Sequence, residues 1–233
     1  MHAVLVPGLF SPRWMMLPMA AYLRRRLDRV TAWDHPTVFG DMDRNVRTLD
    51  GYLSEHLGDR RPAPPVALVT HSFGDWITRR VLQRRRYDGR PLPTHLVSIG
   101  PVVTSNPASA IADRVVGGRI TEIAIMADED LASESLVIPP SVAHLALWPR
   151  IDPWIRRSSY RSPQTIERRV WASHNSALFQ PGVMRTVGDF LASRTVAPPT
   201  VMNVKRRVVE MHPAVGGAVP TRGIAADRYS AAG

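Results

Sequence analysis

Short apolar runs alternate along the chain with segments in which apolar residues recur every three or four positions. The short runs predict buried strands at residues 3–6, 30–33, 66–69, 95–99, 120–126 and 168–172. The periodic segments, such as the one carrying Met16, Met19, Leu23 and Leu27, predict amphipathic helices. Strands that alternate with helices imply crossover connections. The chain is therefore expected to form an α/β fold with a mostly parallel sheet and helices on both faces.

Two segments break this alternation. Residues 131–165 are rich in Pro, Trp and Arg, and after Ser193 the periodicity gives way to Ala, Pro, Gly and Arg. We therefore expect one domain over residues 1–194, followed by a low-complexity C-terminal tail over residues 195–233. The segment 131–165 has two interpretations: a cap or lid over a binding site, or a surface loop that packs its aromatic side chains on the edge of the sheet.

Composition removes several classes of site. The 233 residues include no Cys, which excludes disulfides, a thiolate zinc site, an iron–sulfur cluster and a cysteine nucleophile. No apolar run approaches the ~18 residues of a membrane span. The first residues, MHAVLVPGLF, lack the positive region of a signal peptide. A soluble, cytoplasmic protein is the resulting expectation.

The formal net charge of +10 raises the question of a nucleic-acid partner. Every basic residue except Lys205 is arginine, and the arginine clusters lie at 24–26, 79–80 and 84–86, within predicted amphipathic helices. No zinc-finger spacing or RNA-binding aromatic motif accompanies them. Because charge alone argues only for non-specific association, we expect solvated helix faces and no specific nucleic-acid partner.

The strand predicted at 66–69 is followed at once by the sequence THSFG at 70–74, where helical periodicity begins. A serine in a sharp strand-to-helix turn is held at the carboxyl edge of the sheet, beside the free N–H groups of the helix start. Small residues two positions to either side suit such a turn; Gly74 meets this demand and Thr70 does not. Ser72 is therefore a candidate nucleophile, and the alternative is that its hydroxyl only caps the helix.

A histidine and three acids follow Ser72 in the chain. His174 lies between the last predicted strand and the last predicted helix, where a loop brings an imidazole over the serine. A carboxylate must orient such an imidazole and stabilise its charged form. Asp128, Glu129 and Asp130 come directly after the fifth predicted strand. One of the three serves as the acid in this interpretation, and another caps the following helix.

An oxyanion hole needs two main-chain N–H groups aimed at one point. Phe73, directly after the candidate nucleophile, offers one of them. The loop after the first predicted strand offers the second through Leu9 or Phe10, whereas Pro7 has no N–H to donate. We expect Phe73 and Leu9 to form the hole.

These motifs, in this order, resemble those of the α/β hydrolases, and in particular of the small bacterial lipases and esterases. The matching segments are Val4–Leu9, Leu68–Gly74, Ala127–Asp130 and His174–Phe190. Three residues depart from the family pattern. Thr70 and Asp75 stand where glycine is frequent, and Pro7 stands where histidine is common.

The resemblance implies a serine hydrolase that cleaves carboxylic esters through an acyl-enzyme, without cofactor or metal. It implies that Ser72 attacks the carbonyl, that His174 moves the proton and that Asp130 orients His174, with Asp128 as the alternative acid. The implied partner is a small-molecule ester or a lipid. An amidase, a thioesterase or an acyltransferase would use the same triad, and a non-catalytic protein of this fold would bind anionic partners through its arginine-rich faces.

Overall fold

The computed structural model describes residues 1–35, 41–58 and 64–193. Within these ranges six strands form one sheet, in the order β2-β1-β3-β4-β5-β6, and every neighbouring pair is parallel. The strands are β1 (His2–Val6), β2 (Arg29–Ala32), β3 (Val66–His71), β4 (His95–Ile99), β5 (Ala143–Ile151) and β6 (Thr165–Ser173). The predicted parallel α/β architecture is confirmed. The predicted tail at 195–233 lies outside the described residues.

Seven α-helices lie in the described residues: each connection from β1 to β5 contains at least one, residues 152–164 join β5 to β6 without a helix, and the last helix follows β6. The helices are α1 (Leu17–Leu23), α2 (Met42–Leu57), α3 (Phe73–Tyr87), α4 (Pro107–Val116), α5 (Thr121–Ala127), α6 (Glu129–Ala132) and α7 (Pro181–Ala192). Local chemistry fixes several of their starts. Asp41 caps α2 by accepting a hydrogen bond from the N–H of Arg44 at 3.0 Å, and Pro181 occupies the first turn of α7.

Each face of the sheet buries its own apolar layer. In β1 the side chains alternate: Val4 and Val6 pack with the layer that includes α2 and α3, whereas Ala3 and Leu5 pack with the layer that includes α1 and α7. Because both faces are covered, the central strands are continuous apolar runs. No helix in the described ranges has the length and apolar character needed to span a membrane.

The fifth predicted strand was wrong. Residues 121–127 form α5, and the fifth strand of the sheet is instead β5, which lies inside the segment 131–165. A run of about seven apolar residues fits a buried strand and a short helix equally well by periodicity. Residues 131–165 therefore contribute a strand to the sheet itself.

A helical excursion leaves the sheet between β4 and β5. It consists of α4, α5 and α6, residues 107–132, which we call the lid. Helices α4 and α5 pack against each other, and their inner sides face the carboxyl edge of the sheet, where Ser109 and Ile123 line a cavity described below. The lid thus comes earlier in the chain than the segment 131–165, which adds Trp154 to the lining of the same cavity.

A buried histidine of β5 bonds to both neighbouring strands of the sheet. His144 of β5 is buried between the hydroxyl groups of Ser98, 3.0 Å from Nε2, and Thr165, 2.9 Å from Nδ1. Burial lowers its pKa from 6.5 to about 4, because the charged imidazolium is poorly solvated there. His144 is therefore neutral in the folded protein at neutral pH.

We expect the free energy of unfolding to fall as the pH is lowered from about 6.5 towards 4. In this window the unfolded chain protonates His144 and the folded chain does not, which costs about 3 kcal/mol over the whole window. Urea denaturation at several pH values measures this dependence. His144→Gln removes one of the buried histidines that titrate in this window; His71 is another, so the variant should lose about that amount of the pH dependence and keep the rest. A variant curve parallel to that of the unmodified protein would contradict the assignment.

Candidate active site

Ser72 occupies a strained turn between β3 and α3. Its φ is +52° and its ψ is −126°, a backbone conformation that L-residues rarely adopt. The Ser72 N–H donates to the carbonyl of Ile99 at the end of β4, at 2.9 Å, which ties the turn to the neighbouring strand. Ser72 forms no side-chain cap of α3, so the alternative that its hydroxyl caps the helix is not supported. Strain of this kind is characteristic of functional positions.

The loop after β1 presses directly against this turn. A Cβ atom on Gly8 would lie 2.7 Å from the Ser72 Cβ, and one on Gly74 would lie 2.5 Å from the Pro7 carbonyl oxygen. Real Cβ atoms do not approach so closely. The two glycines therefore allow the backbone of the loop and the start of α3 to meet.

His174 lies in the loop after β6 and is held by a carboxylate. Its Nδ1 is 2.6 Å from Oδ2 of Asp152, and both side chains are largely buried. The other carboxylate oxygen of Asp152 accepts hydrogen bonds from the N–H groups of Trp154 and Ile155. Asp152 follows β5 directly, so the ends of two adjacent strands bring the pair together.

The position predicted for the acid is corrected by this geometry. Asp130 is exposed on α6, and Asp128 caps the same helix by accepting from the N–H of Leu131 at 3.0 Å. Glu129 accepts from the side chains of Thr104 and Ser105. None of these three acids contacts His174, because the strand they were expected to follow is α5.

Asp152 was missed although its signal is present in the sequence. From the sequence, the acid is expected directly after the strand that precedes the last strand before His174. Asp152 satisfies this expectation once that strand is placed at 143–151. The run AHLALW at 143–148 is the apolar signal of this strand. This run lies among prolines and arginines, whereas the run at 120–126 has a more regular apolar pattern and therefore predicts the fifth strand.

The predicted oxyanion donors flank Ser72. Phe73 is the first residue of α3, so its N–H is among those at the helix start without an intrahelical acceptor. Leu9 and Phe10 lie in the loop after β1 and line the same cavity as Ser72. Phe10 has a φ of +53°, so the loop turns sharply at this residue.

A cavity of about 360 Å³ opens beside Ser72, a size within the usual range of small-molecule sites. Its wall is mostly apolar, and His174 is the one ionisable side chain among the lining residues that the structure describes. The lining residues are Leu9, Phe10, Ser11, Ser72, Ser109, Ala112, Ile123, Met126, Trp154, His174 and Asn175. Ser72 Oγ and the His174 ring share this space but are not hydrogen bonded to each other; such contacts are commonly long before substrate binds.

A second imidazole lies beneath the pair. His71 is fully buried, its Nε2 is 3.2 Å from the carbonyl oxygen of His174, and its ring lies 4.7 Å from the His174 ring. Burial, together with the neighbouring His174, lowers the pKa of His71 to about 3. The neutral ring therefore donates its Nε2–H to the carbonyl and supports the loop that carries His174.

Two of the three residues that depart from the family pattern, Thr70 and Asp75, belong to a buried polar network. The Thr70 hydroxyl donates to the Val97 carbonyl at 3.1 Å. Asp75 is fully buried and accepts from Ser98 at 2.5 Å and from Arg79 Nε and Tyr160 Oη, each at 2.9 Å. The polar atoms are thus satisfied, and the turn tolerates residues larger than glycine at these positions.

Comparison with solved structures places the fold among the α/β hydrolases. The RedJ thioesterase from the prodiginine biosynthetic pathway of Streptomyces coelicolor is 16% identical over 82% of this chain and 90% of that chain, with a TM-score of 0.54. Lipase B of Aspergillus fumigatus is 14% identical over 80% of this chain and 51% of that chain, with a TM-score of 0.61. The pyrethroid hydrolase PytH is 13% identical over 82% and 97%, with a TM-score of 0.56.

At these identities the likeness extends to the fold alone. No protein-family model and no curated protein matches the chain. The expected fold class is confirmed, and the chemistry has to be argued from the chain's own residues.

We expect Gly74→Ala to destabilise the fold and displace the turn at Ser72. The new methyl group would meet the Pro7 and Val6 carbonyl oxygens at 2.5 and 2.6 Å, an overpacking that costs about 1–3 kcal/mol. Gly51→Ala is the matched control, because Gly51 lies within α2 with open space at its Cβ position, and it should stabilise by about 0.5–1 kcal/mol. Urea denaturation midpoints measure both; equal shifts would refute the close approach.

Proposed function

We propose that this chain, which has the α/β-hydrolase fold, is a serine hydrolase that cleaves carboxylic esters through an acyl-enzyme. The observation that carries the proposal is the meeting of three features around Ser72: its strained turn, the buried His174–Asp152 pair at 2.6 Å, and the main chain of Leu9 and Phe73, which would supply the oxyanion donors. Each group matches one role in the Ser-His-Asp mechanism.

In the first half-reaction Ser72 Oγ attacks the ester carbonyl while His174 Nε2 takes the hydroxyl proton. The tetrahedral intermediate collapses by breaking the bond to the alcohol oxygen, which receives that proton from His174 and leaves as an alcohol. In the second half-reaction water gives its proton to His174 and attacks the acyl-enzyme. The carboxylic acid leaves, and the proton returns to Ser72.

Asp152 supplies the orientation that this cycle needs. By accepting the Nδ1–H of His174, it fixes the tautomer that leaves Nε2 free to accept the serine proton, and it stabilises the imidazolium that forms. The N–H groups of Trp154 and Ile155 hold the carboxylate in place. The positive φ of Gly100, where a Cβ would lie 3.2 Å from His174 Nδ1, leaves room for the pair.

The cavity indicates the kind of substrate. Apart from the catalytic groups its wall consists mostly of apolar side chains, with the hydroxyls of Ser11 and Ser109 and the amide of Asn175; Ile123 and Met126 come from the lid, and Trp154 comes from the segment after β5. Such a wall favours an uncharged, largely hydrocarbon acyl or alcohol group. A small-molecule ester or a lipid ester fits this description.

A thioester is the second candidate, because the same triad cleaves it and a thiolate is a better leaving group than an alkoxide. One of the structural neighbours named above is a thioesterase, and others are a lipase and a pyrethroid hydrolase. A matched ester and thioester of one acyl group, compared by kcat/KM, separates the two activities.

Ser72 should react with a fluorophosphonate probe. Activation by His174 makes its hydroxyl far more nucleophilic than that of an ordinary serine. Intact mass and peptide mapping should place one label on Ser72 and show its loss in Ser72→Ala and His174→Ala. A folded chain that stays unlabelled while a known serine hydrolase reacts beside it would refute the proposal; steeply salt-dependent binding to heparin would then favour the non-catalytic, anion-binding interpretation.

Asp152→Asn should lower kcat by about three to four orders of magnitude with little change in KM, because the amide favours the wrong imidazole tautomer. Asp130→Asn is the matched control: the same substitution on the exposed α6 should leave kcat within about twofold. Initial rates on a 4-nitrophenyl ester measure both. A large loss in Asp130→Asn with an active Asp152→Asn would reverse the assignment of the acid.

A further inference from the structure

We propose that the buried Arg79–Asp75 pair is a positioning device that fixes the lid over the cavity and so sets the size of the substrate group that the site accepts. The proposal rests on the function proposed above, because it concerns which esters the same site takes. It is carried by the contacts of one fully buried guanidinium, and it gives a role to the acid that stands in place of a frequent glycine.

Both ends of the lid meet at Arg79. Nη2 donates to the Val102 carbonyl, five residues before the lid, at 2.6 Å, and to the Ala132 carbonyl, its last residue, at 3.2 Å. Nη1 donates to the carbonyl of Glu134, two residues beyond the lid. We call the two segments at the base of the lid, residues 102–106 and 131–134, the neck. The planar guanidinium thus links these two segments to one another and to α3.

Asp75 holds this fork in place. Its Oδ2 accepts from Arg79 Nε at 2.9 Å, one helical turn away, and from the Tyr160 hydroxyl at 2.9 Å. The side chains of Asp75 and Arg79 are both completely buried. In that environment the pair holds a single arrangement, because an unpaired charge or donor there is costly.

Two further contacts reinforce the same neck. Trp76 Nε1 donates to the Leu131 carbonyl at 2.8 Å, so the first turns of α3 hold the lid's last residues twice. Across the neck, the Glu129 carboxylate accepts from the side chains of Thr104 and Ser105, and these bonds lower its pKa. Hydrogen bonds therefore hold the residues before and at the end of the lid to each other and to α3.

The lid supplies one wall of the cavity. Ser109 and Ala112 of α4 and Ile123 and Met126 of α5 all line it. Since the neck is fixed to α3, the helix that begins just after Ser72, the distance between this wall and the nucleophile is fixed as well. The cavity of about 360 Å³ is then a size limit that the attachment of the lid imposes.

The test is the dependence of kcat/KM on acyl length in 4-nitrophenyl esters from butanoate to hexadecanoate. In the unmodified protein we expect a decline of at least about tenfold from the best ester to hexadecanoate. In Arg79→Lys, which keeps the charge beside Asp75 but lacks the fork, the decline should shrink to less than about threefold. Hydrogen exchange of amides 107–132 should accelerate in the same variant, more than in the strands.

Arg85→Lys is the matched control. Arg85 is also a buried arginine on α3, and it donates to a buried carboxylate, Asp50, at 2.7 Å and to the Pro91 carbonyl at 2.7 Å. It touches no part of the lid. Its substitution should destabilise the protein to a similar degree and leave the acyl-length profile and the exchange of the lid unchanged.

Trp76→Phe is the second variant, in case Arg79→Lys does not fold. It removes the indole donor to Leu131 and keeps a smaller aromatic ring against Phe73, and it should change the profile in the same direction. An unmodified protein without a size limit, a profile that does not change in either variant, or an equal change in Arg85→Lys would overturn the inference. Failure of fluorophosphonate to label Ser72 would instead refute the proposed function.

Discussion

The close approach of two backbones organises this molecule. The loop after β1 and the start of α3 meet at a distance that no side chain would allow, with Gly8 on one side and Gly74 on the other. This contact brings the loop that carries Leu9 beside the turn of Ser72 and Phe73, and it leaves the serine with a positive φ that L-residues rarely adopt. The packed layers on both faces of the sheet hold that conformation in place.

Local signals made much of this predictable from the sequence. The turn at Ser72 follows an apolar run and precedes a segment with helical periodicity. His174 lies between the last strand and the last helix of the described residues. A few neighbouring residues therefore define each position. Asp152 depends on which of two apolar runs joins the sheet. That choice is made by pairing with β4 and β6, which belong to other segments of the chain, and the apolar pattern of either run alone does not decide it.

The residues near Ser72 that stand where the family often has glycine also depend on distant residues. Asp75 in place of glycine would be costly in isolation, because a carboxylate without partners is strongly destabilised in a protein interior. Its partners come from β4, from the next turn of α3 and from Tyr160, 85 positions further along the chain. The motif around Ser72 therefore shows that Asp75 replaces a frequent glycine, but it does not show the distant residues that satisfy its carboxylate.

The same residue type serves two different purposes on α3. Arg85 binds Asp50 of α2 and joins two helices of one layer, so its contacts concern the stability of the domain. Arg79 donates from Nη1 and Nη2 to three main-chain carbonyls at the base of the lid. Main-chain carbonyls offer the same acceptor whatever side chain they carry. Sequence changes within the lid can therefore alter the cavity wall while its attachment to α3 is kept, so the proposed size limit can vary without a change in the geometry at Ser72.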